Sequence, residues 1–387
     1  MKKLEKMLTV YDKKFNKFCR KYLIKNNGYN ERELAQTALS DYQDIITYIS
    51  SLFLYYDSIC FEVYGENILI PFMINLFGQK GFESLIEQGA IKFLLQTTAI
   101  MHPVELIKGV VPLMTSQGYT TEVHSVPEAS FDEGINRSTL HLDRKYRRNI
   151  KRKLLKVYNV HPKDLHVKVV DDIKQKYENN HFATFNLPDI KNLTDFNKQE
   201  IEKLATITND YFDLAILSNF RYSSLAHPSI INLNNNQFSF LKKADLIKTY
   251  NDKVFQFEKI PNFPQLIKDG KIELKDIPEF RKQKNSVKFR NWISSLADNN
   301  SSEFDVHDYL EAIDNNKNFW NSNIGKFTRS MSVFAISSVL TAPLAGASAV
   351  GIGAGLSLLD AFYIDALTKN WSPRFYIKEN VQKLINK

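Results

Sequence analysis

The chain has 387 residues, 43% of them hydrophobic and 12% aromatic, with a net charge of +8 and two cysteines. That composition excludes a disordered chain, and the length exceeds what one hydrophobic core usually serves, so two or three domains are expected. Cys19 and Cys60 form no CxxC pair, which excludes a thiolate-rich zinc site and fits a reducing compartment.

The positive charge is local. Residues 1–30 hold nine Lys and Arg against two acids, and residues 144–156 hold eight against none, so these segments carry +15 and the rest of the chain −7. Concentrated positive charge attracts phosphate, whether on nucleic acid, nucleotide or lipid headgroup. The abundance of Lys, Asn and Ile fits an AT-rich, bacterial coding bias.

Residues 3–25 read as a basic amphipathic helix. Its apolar positions Leu4, Leu8, Phe15, Phe18 and Tyr22 are interleaved with Lys, unlike the continuous apolar run of a secretory signal. Asn27-Gly28 is a turn signal, and Glu31 to about Ser50 continues as a second helix. The dense apolar run near residues 52–63 reads as a buried strand, although its periodicity also fits a buried helix. Helices follow at Asn67–Phe77 and Phe82–Gln88, then, after Gly89, a strand over Ala90–Ala99. A strand, two short helices and a strand suggest a small mixed sheet. Val104–Met114 reads as a helix, Tyr119–Val126 as an edge strand and Pro127–Asn136 as an acidic loop.

The basic helix comes next. Tyr146, Ile150, Leu154 and Tyr158 recur every four residues, while Arg144, Lys145, Arg147, Arg148, Lys151, Arg152, Lys153 and Lys156 fill most of the other positions. Either these cations form an ordinary solvated face or pair with acids from elsewhere in the chain, or they contact nucleic acid, nucleotide or anionic lipid. His166–Val170 alternates like a strand, and Asn197–Asn219 has the apolar spacing of a helix. Asn234–Gln237 is a loop, and Phe255–Pro264 reads as extended. Asp276, Pro278 and Glu279 form a helix start for a helix running to about Ala297. A polar linker at Asp298–Glu303 and a helix at Val306–Ile313 complete this part.

From Ser330 to Leu359 no residue is charged, in a chain where 24% are. Pro343 and Gly346 break this stretch, which predicts a helical hairpin with arms at Arg329–Thr341 and from Ala347 to about Thr368. Ala347, Gly351 and Gly355 lie four apart, with Gly353 beside them, the small-residue spacing of closely packed helices in membranes or in a soluble interface. Trp320, Lys326 and Arg329 before the stretch and Tyr363, Lys369, Trp371 and Arg374 after it resemble an interfacial belt.

Motifs for chemistry are sparse. The eight histidines show no HExxH spacing, and no Walker A sequence or GxSxG elbow is present. No metal or cofactor is indicated. Arg221 and His227, with five residues between them after a long predicted helix, resemble the Arg-to-His element of HEPN ribonucleases, where His does acid-base chemistry and Arg stabilises phosphate charge. The same pair also reads as a loop Arg and a surface or capping His. Asp172-Ile-Lys174 and Glu273-Leu-Lys275 each place an acid-x-Lys triplet beside a predicted strand, as in nucleases of the PD-(D/E)xK type, without an assignable upstream acid.

The expected fold is α+β and α-dominated. It has a small mixed-sheet N-terminal domain (1–130), a mostly helical middle domain with the basic helix 144–158 (131–300) and a C-terminal hydrophobic helical hairpin and tail (301–387). The leading functional expectation is a non-enzymatic bacterial protein, cytoplasmic and peripheral to or inserted in the inner membrane. It would bind an anionic ligand through the basic helix and act through the hairpin, as effectors of toxin or phage-defence systems do. The alternative is a soluble nucleic-acid-binding protein, with an RNase using Arg221 and His227 as one form of it and the hairpin buried or holding a homo-oligomer. No motif assigns a reaction or a protein partner.

Overall fold

The computed structural model describes residues 9–24, 31–101, 112–115, 121–180, 187, 192–220, 222–225, 247–298, 328–340, 376–381 and 383. Its first element is a strand. β1 (Thr9–Asp12) is buried at all four positions, and the helix expected over 3–25 is confined among these residues to α1 (Lys14–Leu23). Thr9, Val10 and Tyr11 are β-branched or aromatic and lie between two parallel neighbours, a placement that outweighs the helical spacing around them.

α2 (Glu31–Tyr55) runs further than its apolar spacing suggested and takes the front of the apolar run, so β2 (Ser58–Tyr64) starts only after it. α3 (Leu69–Glu87) covers both expected helices, with a kink at Gly78, whose φ of 73° suits a residue without Cβ. β3 (Ile91–Gln96) lies within the expected strand. β4 (Ile100–Met101) and β5 (Met114–Thr115) form a separate antiparallel pair. The helix expected at Val104–Met114 falls mostly outside the described residues. Glu122–His124 is a 3₁₀ turn where an edge strand was expected.

The acidic stretch expected as a loop is α4 (Pro127–Asn136), started by Pro127 in its first turn with Glu128 beside it, both favourable at a helix N-terminus. α5 (Arg144–Leu154) is the basic helix, and β6 (Tyr158–Val160) follows it. The strand expected at His166–Val170 is instead part of α6 (Leu165–Glu178). Its buried residues Leu165, Val169, Val170, Ile173 and Tyr177 repeat at helical spacing, which the short alternating window concealed. α7 (Lys198–Phe220) matches its expectation closely.

β7 (Ser223–Leu225) and β8 (Ile247–Pro261) precede two short helices, α8 (Phe263–Lys268) and α9 (Ile277–Lys282), and a longer one, α10 (Lys284–Asp298). One helix was expected from Asp276 to Ala297, but the backbone is extended at Gln283 (ψ 139°) and divides it. β9 (Thr328–Leu340) is a strand where the first hairpin arm was expected. This run carries Val333, Ile336 and Val339 among serines and pairs with β7 and β8, whereas the Gly and Ala spacing that suggested a helix belongs to residues downstream. The loop at Asn234–Gln237, the helix at Val306–Ile313 and the second arm, with Pro343, Gly346, Gly351, Gly353 and Gly355, lie outside the described residues.

Helices dominate around one sheet in the order β6-β3-β2-β1-β7-β9-β8. The first five strands in this order are parallel rather than the expected mixed set, and β9 runs antiparallel to β7 on one side and β8 on the other. Each link from β1 to β2 and from β2 to β3 contains helix, as a crossover between parallel strands requires. β6 and β7 lie beyond residue 130 and share the sheet with β1 to β3.

Strand periodicity divides the side chains between two cores. Val10, Ile59, Phe61, Val63, Ile91, Phe93 and Leu95 pack with α1 to α5 and α8 to α10, whereas Tyr11, Cys60 and Leu94 pack with α6 and α7. Helices thus cover both faces. The chain reverses its course along the sheet between β6 and β7, and the right-handed crossover rule then sends α6 and α7 to the opposite face. On the first face, buried Arg281 of α9 donates to the carbonyls of Phe53, Tyr56 (2.8 Å) and Asp57 (2.9 Å) at the end of α2, and to Gln88 Oε1 (3.3 Å). Asp57 in turn accepts from Arg290 Nε (3.3 Å) and Ser294 Oγ (2.6 Å). This network ties residues near 290 to the amino-terminal core.

Candidate functional site

α5 is a stable platform for its charges. Asp143 caps it, its carboxylate accepting from Lys145 N and Tyr146 N at 2.9 Å each, and Ile150 and Leu154 are fully buried beneath it. Of the eight cations between 144 and 156, seven lie on α5 and Lys156 follows its end, and they divide by direction. Arg147 pairs with Asp132 at 2.9 Å, Lys151 pairs with the same carboxylate, and Lys153 pairs with Glu83 and, at 2.6 Å, with Glu87. Burial of Asp132 opposes its ionisation, but the Lys151 and Arg147 hydrogen bonds win and hold it below the usual carboxylate range. Arg144, Lys145, Arg148, Arg152 and Lys156 are exposed and make no ion pair among the described residues. At 100° per residue the four of these on α5 fall within an arc of about 100°, opposite the buried side, and Lys156 follows the helix end.

A second polar group lies at the carboxyl ends of the parallel strands, on the face covered by α7. Gln96 Nε2 donates to Tyr11 Oη (3.2 Å) and lies 3.5 Å from Glu62 Oε1, and Tyr11 Oη donates to that same oxygen (3.1 Å). Lys13, just past β1, pairs with Asp213 of α7. On the neighbouring strand, His161 follows β6, is 1% exposed and packs its ring 5.1 Å from that of Phe212.

Burial dominates the electrostatics of this group. It pushes the Glu62 carboxyl up to about 7, with Asp213 adding to the rise and Lys13 and the Tyr11 hydroxyl opposing it. It raises the Tyr11 phenol and, with His166, pushes the His161 imidazole down to about 4. Burial works against the Lys13 ammonium, yet Asp213 and Glu62 hold it above its ordinary value. On the opposite face, Asp12 at the end of β1 accepts from Phe15 N (3.0 Å) and Tyr48 Oη (2.8 Å), so it caps α1.

A cleft of about 210 Å³ also opens between α2 and α8, lined in part by Lys14, Tyr48, Tyr55 and Lys268. Its Thr47 and Ser51 hydroxyls are bonded within α2, to Gln43 O and Tyr48 O at 2.7 Å each, so they offer a ligand little.

Among the remaining sequence candidates, Asp172 and Lys174 lie inside α6 rather than beside a strand, and Asp172 pairs with Lys176. Glu273 and Lys275 pair with each other at 2.8 Å across a 3₁₀ turn. Neither triplet has the strand setting a nuclease of that type needs. Arg221 and His227 lie outside the described residues. Sequence reasoning missed the Tyr11, Glu62 and Gln96 group because its members are 34 to 85 residues apart. The available signal was a lone acid inside an apolar strand. No protein-family model, curated protein or solved structure matches the chain.

Proposed function

We propose that the protein binds a phosphate-bearing polyanion through the outer face of α5, and that the polyanion is nucleic acid. One observation carries this reading: the acids around α5 neutralise one flank and leave Arg144, Lys145, Arg148, Arg152 and Lys156 together and uncompensated among the described residues. Like charges at i, i+4 oppose helix formation by a few tenths of a kcal/mol each, so an anionic partner would relieve a cost built into the helix. Tyr146, on the same helix, donates to Gln79 O (3.1 Å) and is turned away from stacking. Contact with phosphates rather than bases is the chemistry this surface offers.

Five phosphate contacts give a salt slope of about −4.5, so affinity should fall about 500-fold between 50 and 200 mM salt. Fluorescence anisotropy with labelled duplex and single-stranded oligonucleotides measures this directly. The Arg148→Glu/Arg152→Glu protein should lose most binding and show a shallower slope; unchanged binding in that variant sinks the proposal.

The membrane reading is second, supported by the uncharged run to Leu359 with Pro343, Gly346, Gly351, Gly353 and Gly355. In it the same α5 face meets anionic lipid at the inner membrane of a bacterial cell. Among the described residues no helix is long and apolar enough to cross a membrane, and the front of the run is β9. Flotation of the full chain with anionic and neutral vesicles separates the two readings. Carbonate-resistant flotation favours lipid, whereas oligonucleotide binding without flotation favours nucleic acid. If RNA binds, cleavage assays on His227→Ala test the ribonuclease form.

A further inference from the structure

The group beneath α7 has no part in polyanion binding, and its position calls for another explanation. Along the parallel strands the chain moves from β1 through β2 and β3 to β6, then returns to place β7 on the other side of β1. Ligands of doubly wound sheets bind outside the carboxyl ends of the strands at such a reversal. Lys13 and Asp213 meet there.

Three features restrict what could bind. Glu62 is 7% exposed, and its nearby cation Lys13 is committed to Asp213, so the fold carries a buried carboxyl that a glutamine could replace without loss of packing. Gln96 is fully buried, its Nε2 is engaged with Tyr11, and its Oε1 has no hydrogen-bond partner among the described residues. A buried acceptor left unmade is costly and asks for a donor. Finally, a phosphate has no place at the start of α1, where helix amides would otherwise attract one, because Asp12 already occupies Phe15 N with its own negative charge.

A ligand that donates to Glu62 and to the open Gln96 Oε1 while accepting from Lys13 would complete this group. Adjacent hydroxyls meet all three demands, since each is both donor and acceptor. We propose that the carboxyl edge of β1, β2 and β3 beneath α7 binds the vicinal diol of a sugar or ribonucleoside. In this site Glu62 and Gln96 Oε1 accept from the two hydroxyls and Lys13 donates to one of their oxygens. The Lys13 and Asp213 side chains, each 29% exposed, form the solvent side of the site, and exchange of their ion pair admits the ligand.

Isothermal titration of the full chain with adenosine, 2′-deoxyadenosine, uridine, D-ribose and D-glucose tests this. At least one diol should bind. If adenosine is bound, 2′-deoxyadenosine should bind at least tenfold more weakly, and comparison with ribose distinguishes a nucleoside from a free sugar. Glu62→Gln should weaken the bound probe at least tenfold without lowering the unfolding midpoint at pH 7.5. Lys13→Met, at the rim, should weaken it as well, and Arg148→Glu/Arg152→Glu should leave it unchanged. Absence of binding by every probe at millimolar concentration overturns the proposal, as does binding indifferent to both Glu62→Gln and Lys13→Met.

Discussion

Replacing Arg281 by methionine should be among the most damaging single changes in the described fold. Its guanidinium is 1% exposed and donates to three main-chain carbonyls at the end of α2 and to the Gln88 side chain. Methionine fills much of the volume and makes none of these bonds. The carbonyls of Phe53, Tyr56 and Asp57 would stay buried, at about 1–3 kcal/mol each if nothing replaces the donor. Relief of a buried charge offsets part of this, because Arg281 and Arg290 lie together with Asp57 as the acid between them, and burial pushes the Arg281 guanidinium well below its usual range. The net expectation is a loss of about 3–5 kcal/mol, as for breaking other buried charged networks, a large fraction of the roughly 5–15 kcal/mol that holds a domain together. Urea unfolding followed by tryptophan fluorescence, which includes Trp292 on α10, measures it. Arg281→Lys keeps the charge but loses the planar fork and should fall between the two proteins. A loss below about 1 kcal/mol for Arg281→Met would refute the argument, because the α2 carbonyls would then have found other donors.

Glu62 should make the fold less stable as pH rises. Its folded value of about 7 lies above the ordinary 4.5, so between these the native state keeps a proton that the unfolded chain has released. Stability is then full below about 4.5, declines up to about 7, and is lower by about 3 kcal/mol beyond it. Urea midpoints of wild type and Glu62→Gln at pH 5 and pH 8 check this; the variant should lack that decline and be the more stable at pH 8. Gly134→Ala would place a Cβ 2.2 Å from the Asn67 carbonyl oxygen, a main-chain atom that cannot swing away. About 1–3 kcal/mol should be lost through overpacking, visible as a thermal midpoint several degrees lower. On α5, Arg148→Ala/Arg152→Ala should leave stability within about 0.5 kcal/mol while weakening polyanion binding, whereas Ile150→Ala should cost about 2–5 kcal/mol. Equal denaturation losses from the two would show that the exposed cations support the fold itself.

Several elements follow from local signals. The apolar spacing of α7, the turn glycine before β3 and the basic composition of α5 each act within one or two turns of chain, where side-chain periodicity and backbone freedom operate without outside help. β1 and α6 show the limit of that legibility. Four buried residues are too few to reveal a strand, and the alternation of Val167, Lys168 and Val169 fits a strand until α7 packs against the other apolar positions of α6.

What the sequence by itself determined was the presence of eight cations between residues 144 and 156 and of a carboxyl within the apolar run that becomes β2. Tertiary structure decided what each could do. Glu83 and Asp132 come from α3 and α4 to neutralise one flank of α5, so the free face is set by packing and not by composition. Lys13 and Asp213 are 200 residues apart, and Tyr11 and Gln96 are 85. No local spacing encodes those meetings. They follow from parallel register, which aligns the strand ends, and from the crossover that lays α7 over them.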